Sequence, residues 1–563
     1  MSEADDGGGA TDHSVDGSAD GESGRDDSVT AGTALSVFLF GEIVALGFYM
    51  YISRPMWFFI DEWDFLANRT AFNLHDVFEA HNEHWVTLPV LAYRALWFVF
   101  GLKSYRPYQL AIVLAHLTTA LLLRTIMRRV GVRPWTATLV AAIFVFFGSG
   151  YQDIVLPFQI TLVGSLVFGL VQLMLAAPAG PWGRRDYLGL VAGLAALMCS
   201  GVGVAMVIAV GVAVLISRGW RVALLHTVPL AAIYMVWFAA IGHHGYTGRH
   251  GNPAAVFRFV RMIVTASFSA LGHYGVLGWL LGILLVGGLV LAWRDSTPSE
   301  RRVQWPVPLG LLVGALSLLC ITGYGRAGLA PFGEQSRYLY LLIALLLPAF
   351  AVAVDAVMLR WRRVAPLVVV LLLIGVPGNI NAIINYVNRP VVQNQSMYRR
   401  MIISLPRVAA AKEVSRDTIP DQELAHFVTI GWLLDGAASG RIPKPKQISP
   451  ADAAMDTIRL SFRQLPSKKP PGYVCAGLAQ GPLVFHLNRG QSFVVVAQGH
   501  QARFIPAPLP PDQAYPFYPI TVAGPRFTVQ RRVSFEAVDS GPGFSQVCAK
   551  APVIIAAKSA ASR

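Results

Sequence analysis

The chain has 563 residues, of which 54% are hydrophobic and only 14% charged. Soluble domains carry roughly a quarter charged residues, so this composition excludes an ordinary soluble enzyme and points to a membrane protein. The net charge of +14 is not a nucleic-acid signal, because Lys and Arg sit in short clusters between apolar runs and form no single basic patch.

Residues 1–32 are rich in Asp, Glu, Gly and Ser and have no apolar face, which predicts a disordered acidic cytoplasmic tail. The tail lacks the basic start of a cleaved signal peptide, so the apolar run 33–53 is expected to stay as an anchor. A bilayer core needs about twenty apolar residues as helix. Candidate spans are 33–53, 108–127, 134–150, 156–177, 186–200, 201–217, 221–241, 272–293, 306–324, 336–358 and 364–386. Val86–Leu102 is ambiguous, being short, broken by Pro89 and charged at Arg94.

Basic clusters decide it. They occur at Arg124/Arg128/Arg129/Arg133, Arg184/Arg185, Arg218/Arg221, Arg294/Arg301/Arg302 and Arg360/Arg362/Arg363. If Val86–Leu102 lies along the interface, all five fall on one side, as the positive-inside rule favours. The expectation is an all-α polytopic protein of the plasma membrane with about eleven transmembrane helices, N-terminus cytoplasmic and C-terminus exterior. Residues 33–386 form the membrane module, with an exterior loop at 54–107, and 387–563 an exterior soluble domain. Helical runs such as Met397–Val414 and alternating segments such as Ser492–Ala497 and Arg531–Ala537 make that domain α/β or β-rich. Cys475 and Cys548 both lie in it, where a disulfide would suit an oxidising exterior; free thiols are the other reading. Cys199 and Cys320 read as small buried hydrophobes.

Ionisable residues at a membrane surface are costly unless used, so their positions carry information. Asp61-Glu62-Trp63-Asp64 places three acids just outside the first span. They read either as a solvated helix start or as a general base or metal-binding carboxylates. His81, Glu83 and His84 follow in the same loop, as weak metal ligands or a grip on a polar substrate. Asp153 stands at the next exterior turn with Gln159 nearby, and Glu334-Gln335-Ser336-Arg337-Tyr338 opens a late span. Arg337 reads as a snorkelling residue or a phosphate ligand, and Arg258 and Arg261 as a cationic surface for lipid headgroups. Glu42, inside the first span, has no assigned role. No Walker A loop, dinucleotide fingerprint or Gly-x-Ser-x-Gly elbow is present.

Taken in order, these features resemble the GT-C superfamily of polyprenyl-phosphate-sugar glycosyltransferases, mannosyl and arabinosyl transferases among them. The resemblance covers about residues 33–386. It rests on the acidic first loop, the apolar segment ending Phe100-Gly101-Leu102, the span closing on Arg128-Arg129, Asp153 after the third span, and Ser336-Arg337-Tyr338. It implies a GT-C-like membrane module that transfers a hexosyl or pentosyl group from a polyprenyl-phosphate donor to a glycan, lipid or protein acceptor. It further implies that a first-loop acid is the base, Asp61 first, with Glu62 and Asp64 as competitors and Asp153 as a further catalytic candidate. Arg337 would hold the donor phosphate, with Tyr338, His81, Glu83, His84, Gln159, Arg258 and Arg261 as further donor contacts. Some members use a divalent metal and others none; Asp61, Glu62 and His84 would be its ligands, and no other cofactor is expected. Related sequences have a lysine where this chain reads Glu83-His84-Trp85, which weakens a phosphate contact there. The rival class is a transporter or flippase of envelope lipids, which should depend on charges within spans, such as Glu42. The C-terminal domain reads as a carbohydrate-binding module or a structural lid, with Tyr515, Phe517 and Tyr518 as stacking or core residues.

Overall fold

The computed structural model describes residues 18–245, 250–326, 335–393, 395–422, 424–465, 473–477, 483–498, 502–506, 518–520, 526–539, 544–550 and 555–557. Glu334, Tyr515 and Phe517 lie outside the described residues, as do residues 1–17 of the acidic tail. Helix α1 (Ser18–Ile52) begins well inside the segment expected to be disordered. An apolar helix, once formed, extends at the cost of one residue per added bond, which accounts for that difference.

Loop 1 follows, with α2 (Leu74–Phe78), the two-residue strands β1 (Ala80–His81) and β2 (His84–Trp85), and α3 (Thr87–Phe100). The bundle continues with α4 (Arg106–Arg129), α5 (Pro134–Val145), α6 (Tyr151–Val155), α7 (Ile160–Ala176), α8 (Arg184–Leu197), α9 (Val202–Arg218) and α10 (Trp220–Ala240). It ends with α11 (Pro253–Gly272), α12 (Gly275–Asp295), α13 (Pro298–Gln304), α14 (Pro306–Arg326), α15 (Ser336–Arg360), α16 (Ala365–Leu373) and α17 (Val376–Val387). Nine described helices are long and apolar enough to cross a bilayer, or ten if α5 and the Gly148–Val155 segment, bent by 43°, count as one.

Contacts at the helix ends show which of them traverse the bundle. The basic residues gather at one end: Arg129 and Arg218 donate to the Met174 and Ala176 carbonyls closing α7, and Arg133 pairs with Asp355 near the end of α15 at 2.9 Å. Loop 1 lies at the other end, where Gln109 of α4 donates to the Ser53 carbonyl after α1. Helices α3 and α11 have both of their ends at this second end. Trp85, just before α3, stacks on Trp237 near the end of α10, and Leu102, just after it, donates to the Arg441 carbonyl. Gly251, before α11, donates to Tyr324 at the end of α14, Phe259 packs on Tyr338 at the start of α15, and the Ala270 carbonyl accepts from Asn379, which also holds Ser149. A twenty-residue helix is about 30 Å long, so those contacts lay α11 across the bundle end. The 242–271 segment, expected as a loop with an apolar stretch, is thus a surface helix built on Phe259, Ile263 and Ala266. The shorter α8 and α9 do run end to end, from the Asp186–Arg218 ion pair to a turn that meets His84. Among the described residues eleven helical traverses of the bundle remain, and Val86–Leu102 is not one of them.

Beyond α17 come α18 (Pro390–Gln393), α19 (Gln395–Ser404), α20 (Ile430–Ala438) and α21 (Pro450–Ser461), and of these α19 and α20 pack on loop 1. Gln395 accepts from Trp57 N at 2.6 Å, and Trp432 stacks on Trp97 of α3. The remaining strands are β3 (Phe462–Leu465), β4 (Tyr473–Gly477), β5 (Leu483–Leu487), β6 (Ser492–Gln498), β7 (Ala502–Pro506), β8 (Tyr518–Ile520), β9 (Arg526–Val529), β10 (Val533–Asp539), β11 (Phe544–Lys550) and β12 (Ile555–Ala557). They form two five-stranded sheets, β12-β5-β10-β7-β8 and β3-β9-β6-β11-β4. Alternation aims Phe485, Phe504 and Phe535 from the first and Phe462, Phe493 and Phe527 from the second into one core. Cys475 and Cys548 face each other across β4 and β11 and are bridged.

Candidate active site

The three acids of loop 1 meet three different environments. Glu62 is buried, accepting from Tyr93 Oη at 2.8 Å, from Tyr105 Oη at 3.0 Å and from Phe59 N at 3.0 Å. Burial pushes its carboxyl up to about 8 despite those donors. Asp64 is equally buried but charged: desolvation alone would raise it, yet hydrogen bonds from His81 at 2.7 Å and Arg69 at 3.0 Å hold it at about 2. Arg69 also donates to the Glu79 and Ala80 carbonyls, so the Asp64–Arg69 pair ties the loop together. Asp61 alone is exposed, and its carboxylate makes no hydrogen bond or ion pair among the described residues. It follows Ile60, whose φ of 41° forces a β-branched side chain into the left-handed region. Such strain persists only where surrounding contacts impose it, and it concentrates at functional sites.

A second cluster joins the end of loop 1 to the starts of α6 and α15. Glu83 is paired with Arg326, the last residue of α14, and both are partly exposed. His84 accepts from Gly201 N through Nδ1 at 3.3 Å, which puts its proton on Nε2 when neutral. Desolvation lowers its proton affinity; Glu83 opposes this, while Arg326, His81 and Arg337 add to it. His84 is therefore a neutral donor here, and the cations of the cluster are Arg326 and Arg337. Arg337 Nε is buried without a partner, and Arg337 is the charge nearest in effect to Asp153. Asp153 is fully buried, with neither carboxylate oxygen hydrogen-bonded.

The other expected residues fall around this core. Gln159 is buried in the turn before α7, next to Phe158, whose ring packs on His81 at 5.2 Å. Tyr338 turns toward α11, 5.8 Å from Phe259. Arg258 and Arg261 stand on the exposed face of α11, opposite Phe259 and Ile263, and are not brought to the cluster. Among the described residues no group of three or more His, Cys, Asp or Glu side chains is disposed to hold a metal. Asp61, Glu62 and His84 form no such group, and the Glu62 oxygens already accept from Tyr93, Tyr105 and Phe59 N.

Sequence reasoning missed Arg69, Tyr93, Tyr105 and Arg326. It also missed the Tyr151–Tyr386 stack, whose rings lie 4.2 Å apart with Arg389 against both. Only Arg326 left a signal, as a lone charge ending an apolar run.

Fold and site together define a polytopic membrane protein with an acidic and cationic site at one end of its helical bundle. No protein-family model matches the chain, and no curated protein matches it. The solved structure of ArnT from Cupriavidus metallidurans in the apo state is similar at a TM-score of 0.41 and 14% identity, over 77% of this chain and 93% of that one. A likeness that loose carries neither function nor site.

Proposed function

We propose that this protein is a membrane glycosyltransferase moving a sugar from a polyprenyl-phosphate donor to a cell-envelope acceptor on the exterior face. The observation that carries this reading is the sorting of the loop 1 acids. Glu62 and Asp64 are sealed in buried contacts, while Asp61 is left exposed on a strained turn at the bundle end that also holds Arg326 and Arg337. The sequence resemblance supports it independently.

Asp61 accepts the proton of an acceptor hydroxyl as its oxygen attacks the anomeric carbon of the donor. The new glycosidic C–O bond forms as the bond from that carbon to phosphate oxygen breaks, and the electron pair leaves with the polyprenyl phosphate. The leaving phosphate gains negative charge, which Arg337 and Arg326 stabilise, so no acid is needed to protonate it. Glu83 must yield Arg326 for this, since the two are paired. No step is routed through a metal.

The test is sugar transfer from a polyprenyl-phosphate donor by purified Asp61→Asn and Glu62→Gln proteins. Loss of a general base costs typically 10²–10⁴-fold, and that loss is expected for Asp61→Asn alone. Transfer at the wild-type rate by Asp61→Asn sinks the mechanism. A wild type that transfers no sugar but moves envelope lipid across a bilayer, with that movement lost in Glu42→Gln, favours a flippase, because Glu42 is a buried acid inside α1.

A further inference from the structure

The polar groups that the proposed reaction leaves unused gather where α6 meets α15. Gln152 N donates to Ser336 Oγ at 3.1 Å, fastening the first turn of α6 to the first turn of α15. At this junction Gln152 Oε1, Asp153 Oδ1, Asp153 Oδ2 and Gln335 Oε1 are all buried, and none accepts a hydrogen bond. Asp153 is fully buried, and Gln335, although it precedes the first residue of α15, does not cap the helix with its side chain. Folded proteins pair about nine in ten or more of their buried polar groups. Four orphan acceptors on two joined turns are therefore a concentration that asks for donors from outside the chain.

The chemistry of the missing partner follows from that sign. A lipid chain offers no donor, and an ionised phosphate offers only acceptors, which leaves the two amide oxygens unpaired. A sugar ring offers several hydroxyls a few ångströms apart, each able to donate and to accept, enough to bridge a carboxyl group and two amide oxygens. Arg337, within electrostatic reach of Asp153 and unpaired at Nε, would then lie beside the phosphate attached to that ring.

We propose that Gln152, Asp153 and Gln335 form the subsite that recognises the hydroxyl groups of the donor sugar. Asp153 is on this assignment a positioning residue and not the base. The proposal rests on the donor reading given above and adds which residues select the sugar.

The experiment measures binding to purified full-length protein of three probes: bare polyprenyl phosphate, polyprenyl-phosphate mannose and polyprenyl-phosphate arabinose. Wild type is compared with Asp153→Asn, Gln152→Leu and Gln335→Leu, the two glutamine variants guarding against a misfolded Asp153 variant. A site built to hydrogen-bond hydroxyls discriminates strongly against ligands lacking them. Wild type is expected to bind at least one glycosylated lipid tenfold or more tighter than the bare lipid. Each variant should bring that preference to within about threefold of none while binding bare lipid as wild type does, whereas Arg337→Gln weakens all three probes. A preference preserved in all the variants overturns the subsite and leaves the phosphate reading standing. So does an equal loss on bare and glycosylated lipid, or a wild type blind to the sugar. A wild type that binds no polyprenyl phosphate at all removes the donor reading, and the subsite with it.

Discussion

Glu62 and Asp64 are both buried and two positions apart, yet their carboxyls lie on opposite sides of the ordinary range because their donors differ in charge. Two tyrosine hydroxyls and one backbone N–H do not repay the desolvation of Glu62, whereas Arg69 and His81 more than repay that of Asp64. A group held near 8 and ordinarily at 4.5 keeps its proton in the folded protein while the unfolded chain releases it. The folded state thus loses stability as pH rises across that window, at about 1.4 kcal/mol per pH unit at most. Glu62→Gln removes the effect: its melting temperature relative to wild type should climb from pH 5 to pH 8, while transfer at pH 7 stays close to wild type. Asp64 has the reverse sign. Its contribution is complete above 3.8 and fades as pH falls toward 2. Asp64→Asn should cost about 3–5 kcal/mol by stranding the buried Arg69 charge, seen as a large drop in melting temperature, and Arg69→Met in the same chain should recover part of it. If Asp64→Asn melts like wild type but loses transfer, Asp64 is catalytic and Asp61 is not.

At the scale of elements, α3 shows how loop 1 is clamped. It stops at Gly101, whose φ is +55° and where an added Cβ would lie 2.2 Å from the Arg441 carbonyl oxygen. Gly101→Ala costs roughly 1–2 kcal/mol for the backbone alone and also collides with main chain, so 430–442 must lift. Quenching of Trp432 by Trp97 should be relieved and cleavage after Arg441 should speed up, with the helical content of the bundle unchanged. Much of this scale was legible in the sequence. Apolar length gave the spans, basic clusters demoted Val86–Leu102 to the surface, and period-two alternation marked β6 and β10. The α11 surface helix was half legible, since its outward Arg258 and Arg261 spoke against a plain span while its length spoke for one. The free acid of loop 1 was not decided by local pattern. Asp61, Glu62 and Asp64 look alike along the chain, and their fates are set by Tyr93, Tyr105, Arg69 and His81, which only folding brings near. Gln152 and Gln335 stand beside Asp153 and Arg337 in segments the sequence marks out, but their lack of a partner is visible only once every neighbour is in place.

For the whole molecule, the consequence of α3 and α11 lying flat is that loop 1, the second cluster and the C-terminal sandwich share one side. The five basic clusters occupy the other side, where the positive-inside rule puts the cytoplasm. The bridged Cys475–Cys548 pair on the first side agrees with an oxidising exterior. Length and composition allow α11 to cross, in which case Asn252 and His273 at its two ends would face opposite compartments. Packing requires them to share one. Both residues are exposed, as are Asn73 in loop 1 and Ser299 beside the Arg301/Arg302 cluster. Each can be made the single reactive thiol in a Cys320→Ser background, because Cys199 is buried and the other two cysteines are bridged. In intact cells a membrane-impermeant maleimide should label Asn73→Cys, Asn252→Cys and His273→Cys, and should reach Ser299→Cys only after the membrane is opened. Labelling of Asn252→Cys without His273→Cys, or the converse, makes α11 a true span. Every later helix then reverses, which carries Gln335 and Arg337 away from Asp61 and from Asp153 on α6 and dismantles the shared site.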